Sequence, residues 1–205
     1  MTSRQAVTLA LLAILGLVLL VGIQQLLAER IERERQAAAE RALLDLLPAG
    51  SYDNHPLARR IALPASDLLG QPAPEFAYLA TWQGAPSALL LPATANGYEG
   101  PIRLLLAIGP DARLLGVKVL EQRETPGLGD LTAADKRPWL RGFVGKSLRT
   151  SPEPDWRVRA DGGQFDQIAG ATVTSRGVVK AVQQALSFFD AHRQSLLQAP
   201  TEKAP

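Results

Sequence analysis

Apolar residues fall along this chain in three regimes. From residue 5 to residue 28 no charged side chain occurs, and residues 6–23 are almost continuously apolar. From residue 76 onward the apolar positions come in short runs, at 76–82, 87–91, 102–108 and 114–122, separated by Asn96-Gly97 and Gly109-Pro110-Asp111. Runs of that length between turn residues predict strands, and the branched side chains of Leu114-Leu115-Gly116-Val117-Lys118-Val119-Leu120 suit a half-buried sheet. Over residues 175–197 the period changes again: Val178, Val182, Ala185, Leu186 and Phe189 step by three or four, which predicts an amphipathic helix. Strands followed by one helix point to an α+β domain, an antiparallel sheet with flanking helices.

The first regime has the length of a membrane span. Residues 6–23 in helical form cover about 27 Å, against about 30 Å of hydrocarbon, and Thr8, Gly16 and Gly22 are tolerated because a helix bonds its own backbone. A cleaved signal peptide has a shorter apolar core and a small-residue cleavage site, and neither is found here. Residues 1–28 are therefore expected to be a retained single-pass anchor helix. Residues 29–50 follow as a helical stalk ending near Pro48-Ala49-Gly50. Residues 51–74, with Pro56, Pro64, Pro72 and Pro74, read as a loop-rich entry into a domain at 51–199, and 200–205 as a flexible tail. Arg30, Arg33 and Arg35 outnumber Arg4 and by the basic-residue rule favour a cytoplasmic domain. Glu29, Glu32 and Glu34 interleave with them at helical spacing and weaken that bias.

Composition narrows the chemistry. Without the first 36 residues, which hold four Arg and three Glu, 18 basic residues face 17 acidic ones. That balance, with no basic stripe, argues against nucleic acid. The absence of cysteine removes disulfides, thiolate catalysis and Cys-ligated metal. His55 and His192, far apart, make no metal site and are read as surface or structural. Trp139, Trp156, Phe188 and Phe189 are read as core. Any redox chemistry then belongs to an organic cofactor.

Two segments stand out. Glu124-Thr125-Pro126-Gly127-Leu128-Gly129-Asp130 sets two glycines around a leucine behind a proline, a rigid turn that can lie close to a flat ligand. Glu124 and Asp130 read equally well as solvated carboxylates. Asp166-Gln167-Ile168-Ala169-Gly170-Ala171-Thr172-Val173-Thr174-Ser175 leads into the last helix. There Gly170 and Ala171 leave the Thr172 hydroxyl approachable, and the hydroxyls of Thr172, Thr174 and Ser175 stand where helix caps belong. Backbone amides at such a helix start favour phosphate.

Asp166-x-x-Ala-Gly-Ala-Thr172 resembles the flavinylation motif Asp-x-x-(Ser/Thr)-Gly-Ala-(Ser/Thr), with Ala169 in place of the first hydroxyl residue. Gly97-Tyr98-Glu99-Gly100-Pro101-Ile102, the loop at 124–130 and Asp161-Gly162-Gly163-Gln164-Phe165-Asp166 extend the resemblance over nearly the whole chain. It is to the FMN-binding domain shared by the C subunit of the sodium-pumping NADH:quinone reductase and, more closely, the G subunit of the Rnf/Rsx electron transport complex.

That resemblance implies a covalent FMN joined through its phosphate to Thr172, a phosphothreonine linkage made by a flavin transferase. It implies flavin contacts from Tyr98, Glu124, Thr125, Pro126, Gly127, Leu128, Gly129, Asp166, Gly170, Ala171 and Thr174. Thr174 is the rival acceptor, read first as a helix cap, and a strand-start aromatic such as Tyr98 is more often packing. Asp166 is expected to serve the transferase or its metal during attachment. No residue is assigned a catalytic or a resident metal-binding role. The implied function is that of an electron carrier in the bacterial inner membrane, its domain in the periplasm. It would be one component of a complex coupling electron flow, between reduced ferredoxin or NAD(H) and a partner, to ion translocation. The alternatives are a flavin-free tethered interaction module, a C-type subunit of the quinone reductase, and a stand-alone flavoenzyme, for which no acid or base stands out.

Overall fold

The structure is a computed structural model that describes residues 5, 16, 40, 41, 43–133, 135–198, 202 and 203. Apart from Gln5 and Gly16, the expected anchor lies outside the described residues, as does most of the stalk. Among the described residues no helix is long and apolar enough to cross a membrane. The chain divides into two compact units, Met1–Leu44 and Asp45–Pro205. In the first, the backbone at Glu40, Arg41, Leu43 and Leu44 is helical.

The second unit is built on an antiparallel meander. Its strands are β1 (Arg59–Leu63), β2 (Glu75–Trp82), β3 (Ala85–Asn96), β4 (Pro101–Ile108) and β5 (Leu114–Glu121). They lie in the order β5-β4-β3-β2-β1, with the two-residue β6 (Glu202–Lys203) added outside β1. Each turn has a local cause. Gln83 and Gly84, with φ of 51° and 77°, close the β2–β3 hairpin in two residues, the positive-φ geometry that matches strand twist. Gly97 donates its amide to the Gly100 carbonyl at 2.8 Å and closes the β3–β4 hairpin.

The four strands expected from the apolar runs are present, β3 extending well past the run at 87–91 on both sides. The stretch 51–74 is a correction: read as loop, it contains β1 and two short 3-10 turns. β1 has only five residues between Pro56 and Pro64, and Ile61 and Leu63 are the buried positions in its alternation. So short a strand leaves little periodic signal. The tail expected at 200–205 likewise contains β6.

A short helix α1 (Arg137–Arg141) precedes the long helix α2 (Thr172–Gln198). Val178, Val182, Ala185, Leu186 and Phe189 are buried, and α2 packs across β3. Burying each of the valine, leucine and phenylalanine side chains is worth about 1.5–3 kcal/mol. Near its start the contact tightens: a Cβ on Gly177 would stand 2.0 Å from the Asn96 carbonyl oxygen, so only glycine lets the helix sit there. That contact ties the second turn of α2 to the end of β3.

Between β5 and α2 the chain is held by an aromatic cluster. Phe143 stacks on Phe165 at 4.8 Å, Trp156 lies 5.0 Å from Phe165, and Trp139 meets Phe143 edge-on at 5.3 Å. Trp156, Phe188 and Phe189 are core as expected. Trp139 is only half-buried, because its indole N–H reaches the Asp166 carbonyl at 2.6 Å on the surface.

Candidate functional site

Three chain segments meet at one open pocket. The turn of the β3–β4 hairpin contributes Tyr98, the loop after β5 contributes Glu124, Thr125, Leu128 and Gly129, and the start of α2 contributes Gly170, Ala171, Thr172, Val173 and Thr174. Its volume is about 470 Å³, within the roughly 300–1,000 Å³ common for cofactor pockets. Nine of the residues singled out from sequence line it: Tyr98, Glu124, Thr125, Leu128, Gly129, Gly170, Ala171, Thr172 and Thr174. Segments far apart in sequence thus supply one wall each.

The loop after β5 folds as its sequence requires. The amides of Leu128 and Gly129 both reach the Thr125 carbonyl at 3.1 Å, and Gly127 takes φ of 79°. Pro126 and Gly127 shape this turn and are not among the residues lining the pocket. Leu128, 49% exposed, projects from the turn. A Cβ on Gly170, where φ is 77°, would meet the Leu128 side chain at 3.0 Å. Asp130 stands behind the loop, and its carboxyl lies below its ordinary range because the Thr132 hydroxyl and amide donate to it.

The start of α2 corrects the capping expectation. Ser175 is buried; its hydroxyl accepts the Ile168 amide at 3.0 Å and donates to the Ala171 carbonyl at 2.9 Å, stapling the motif loop to the helix. Thr174, 1% exposed, donates its hydroxyl to the Glu124 carboxylate rather than to a backbone group. Thr172 is half-buried, and its hydroxyl has no hydrogen-bond partner among the described residues. The amides of Thr172, Val173 and Thr174 likewise find no acceptor there, whereas that of Ser175 reaches Ala171. A free hydroxyl beside unpaired helix-start amides can accept a phosphoryl group and hold its oxygens.

Glu124 is not solvated: it is 4% exposed, and its Oε1 also accepts the Glu99 amide at 3.0 Å. Asp166 does not line the pocket. Its carboxylate pairs with Arg159 at 3.0 Å on the surface. Asp161 accepts from Nε and Nη2 of Arg176, and that pair holds its carboxyl below the usual range. Both histidines are exposed, and His192 stacks on Phe188 at 4.3 Å.

Val173 was missed from sequence. At 48% exposure it forms a rim with Leu128 and Tyr98, the latter 72% exposed at its hairpin tip rather than packed. The available signal was a valine sharing the outer helix face of Arg176 and Lys180. The pocket therefore has an apolar rim suited to a flat ring, small residues where a ring must approach, and a helix start for a phosphate. The residues present fit FMN.

Comparison with known proteins agrees. Residues 97–187 match the family described as FMN-binding domain. The G subunit of the ion-translocating oxidoreductase complex of Pseudomonas aeruginosa is 50% identical over 202 residues, covering 98% of this chain and 94% of that protein. The chain belongs to the family of G subunits of the ion-translocating oxidoreductase complex. A further G subunit, from Shewanella loihica, is 38% identical over 198 residues, covering 96% of this chain and 93% of the relative. The crystal structure of Shewanella oneidensis NqrC aligns with a TM-score of 0.49 at 24% identity, over 67% of this chain and 69% of that one. In this member of the G-subunit family, the matched FMN-binding region contains all three pocket segments.

Proposed function

We propose that this chain carries FMN bonded through its phosphate to Thr172 and serves as a membrane-anchored electron carrier in an ion-translocating oxidoreductase complex. The observation that carries the reading is the state of Thr172. Its hydroxyl is unengaged, the three helix-start amides around it are unpaired among the described residues, and it opens on the pocket of Leu128, Tyr98 and Val173. The attachment would exchange the Thr172 Oγ1–H bond and one P–O bond of the flavin phosphate for an Oγ1–P ester, the proton and the displaced oxygen substituent leaving with a net loss of one water relative to free FMN, so that the flavin cannot leave. A bound flavin supplies the electron chemistry. The protein's own residues would position it: Leu128 and Val173 would face a ring, Gly170 leaves room beside Leu128, and the α2 amides would hold the phosphate. Asp166, exposed and paired with Arg159, remains available to a flavin transferase during maturation.

The pocket's openness suits a carrier that exchanges electrons with other subunits of the complex rather than enclosing a substrate. Residues 1–28 serve as a retained single-pass anchor in the bacterial inner membrane, with the domain in the periplasm. The i,i+3 and i,i+4 pairing of Arg30, Arg33 and Arg35 with glutamates offsets the basic-residue count that would place it inside. Alkaline phosphatase and a fluorescent protein fused separately after Pro205 test the side: phosphatase activity with a dark fluorescent fusion supports the periplasm, and the reverse refutes it.

Intact-mass measurement of the chain produced beside a flavin transferase tests the attachment. The mass should exceed that of the sequence by FMN less water, roughly 440 Da. Thr172→Ala should remove the increment with the fold retained. An increment that survives Thr172→Ala and vanishes in Thr174→Ala would move the bond to Thr174.

A further inference from the structure

Glu124 is a buried carboxylate with no cation paired to it among the described residues. None of the ion pairs among the described residues includes it. A charge held out of water needs its oxygens satisfied or it destabilises the fold. Here the Glu99 amide donates to Oε1 at 3.0 Å and the Thr174 hydroxyl donates to Oε2. Thr174 belongs to the first turn of α2, whose helix dipole also favours a negative group. The surrounding chain leaves room for both oxygens. A Cβ on Gly97 would stand 2.3 Å from Oε1, and one on Gly129 would stand 2.8 Å from Oε2. The hairpin turn, the loop after β5 and the start of α2 are therefore assembled around one carboxylate, which lies in the wall of the pocket.

We infer that Glu124 is the positioning residue of this pocket and that its fixed negative charge lowers the reduction potential of the flavin held there. The potential half rests on the proposed function; the positioning half does not. Reduction adds two electrons to the ring, with at most two protons following, and a negative charge nearby in a poorly solvated wall opposes that gain. The Thr174 hydroxyl offsets part of the charge. Removing the carboxylate and removing its donor therefore have opposite effects.

The test uses the full-length flavinylated chain in detergent, titrated with dithionite against reference dyes. Glu124→Gln keeps the size of the side chain, and the Thr174 hydroxyl can turn to accept from the new amide. Its midpoint potential should rise by at least the equivalent of a tenfold change in the reduction equilibrium, about 30 mV for two electrons. Thr174→Val, which leaves the carboxylate with one donor fewer, should lower the potential. A role confined to holding the loop would move both variants in one direction, and shifts of the same sign, or none, overturn the inference. If Glu124→Gln takes up no flavin, the sign in Thr174→Val decides: a fall supports the inference, and a rise or no change overturns it. If the wild-type chain takes up no flavin, the proposed function fails and the potential half falls with it. Positioning is then read by hydrogen exchange at the Glu99 amide, where Glu124→Ala should exchange at least tenfold faster; unchanged protection overturns it.

Discussion

Replacing Gly177 by alanine tests whether the start of α2 is held where the pocket needs it. The added methyl would lie 2.0 Å from the Asn96 carbonyl oxygen and 2.9 Å from its carbon. Both atoms are backbone in the last residue of β3, so no rotamer change relieves the clash; the helix start or the strand end must move by over an ångström. Overpacking typically costs about 1–3 kcal/mol, and a backbone neighbour puts this site near the upper figure. Helix propensity offsets about 1 kcal/mol of it, since alanine replaces glycine within a helix. The net expectation is a loss of about 2 kcal/mol, which for a domain of this size lowers Tm by about 4–8 °C. Near-ultraviolet circular dichroism of the full-length chain in detergent reads the transition. On the proposed attachment, flavin content at fixed transferase exposure should fall too, because Thr172 lies one turn before Gly177 at the same helix end. A Gly177→Ala chain that melts at or above the wild-type temperature would refute the close approach of α2 to β3.

Three further outcomes follow from the same geometry. Ser175→Ala removes the acceptor of the buried Ile168 amide and a donor to the Ala171 carbonyl, so chemical denaturation should find it less stable by about 1–3 kcal/mol; an unchanged midpoint would mean the motif loop is held otherwise. Trp139→Phe keeps the ring against Phe143 but loses the bond to the Asp166 carbonyl; a loss of about 0.5–1.5 kcal/mol is expected in the same assay, and none would mean the bond contributes nothing. Asp161→Asn tests a pH dependence. The Asp161 carboxyl is depressed chiefly by its hydrogen bond from Arg176, so its contribution is present above the unfolded value near about 3.9 and lost as pH falls through the folded value. The melting temperatures of wild type and Asp161→Asn should therefore differ at neutral pH and converge below about pH 4, and a gap that persists in acid would exclude the ion pair as its source.

What the sequence disclosed about this fold follows from the length of each signal. β2 to β5 and α2 each bury a run long enough for period two or period 3.6 to stand out, and all five were expected, β3 over fewer than half of its twelve residues. β1 escaped because only Ile61 and Leu63 in five residues mark its buried face, and β6 because two residues carry no period. The site divides in the same way. Loop and motif residues were identifiable from local chemistry, since Gly170 and Gly129 announce close approach and Thr172 a helix start. Which hydroxyl is free was not, because that depends on what lies opposite. Three hydroxyl residues share one helix turn. Thr174 meets a carboxylate from residue 124, Ser175 meets the amide of Ile168, and Thr172 alone meets neither. Glu124 carries the same lesson in reverse. In sequence it is a loop carboxylate beside Arg123 and Thr125, as ready to be solvated as not. Its burial arises because residues 97, 99, 129 and 174 converge on it, two of them glycines whose missing side chains it fills. Pairings over such separations are set by the sheet, which brings the β3–β4 turn and the end of β5 to the same edge of α2. The motif places three hydroxyls together; the meander decides which stays unengaged, by using up the two beside it.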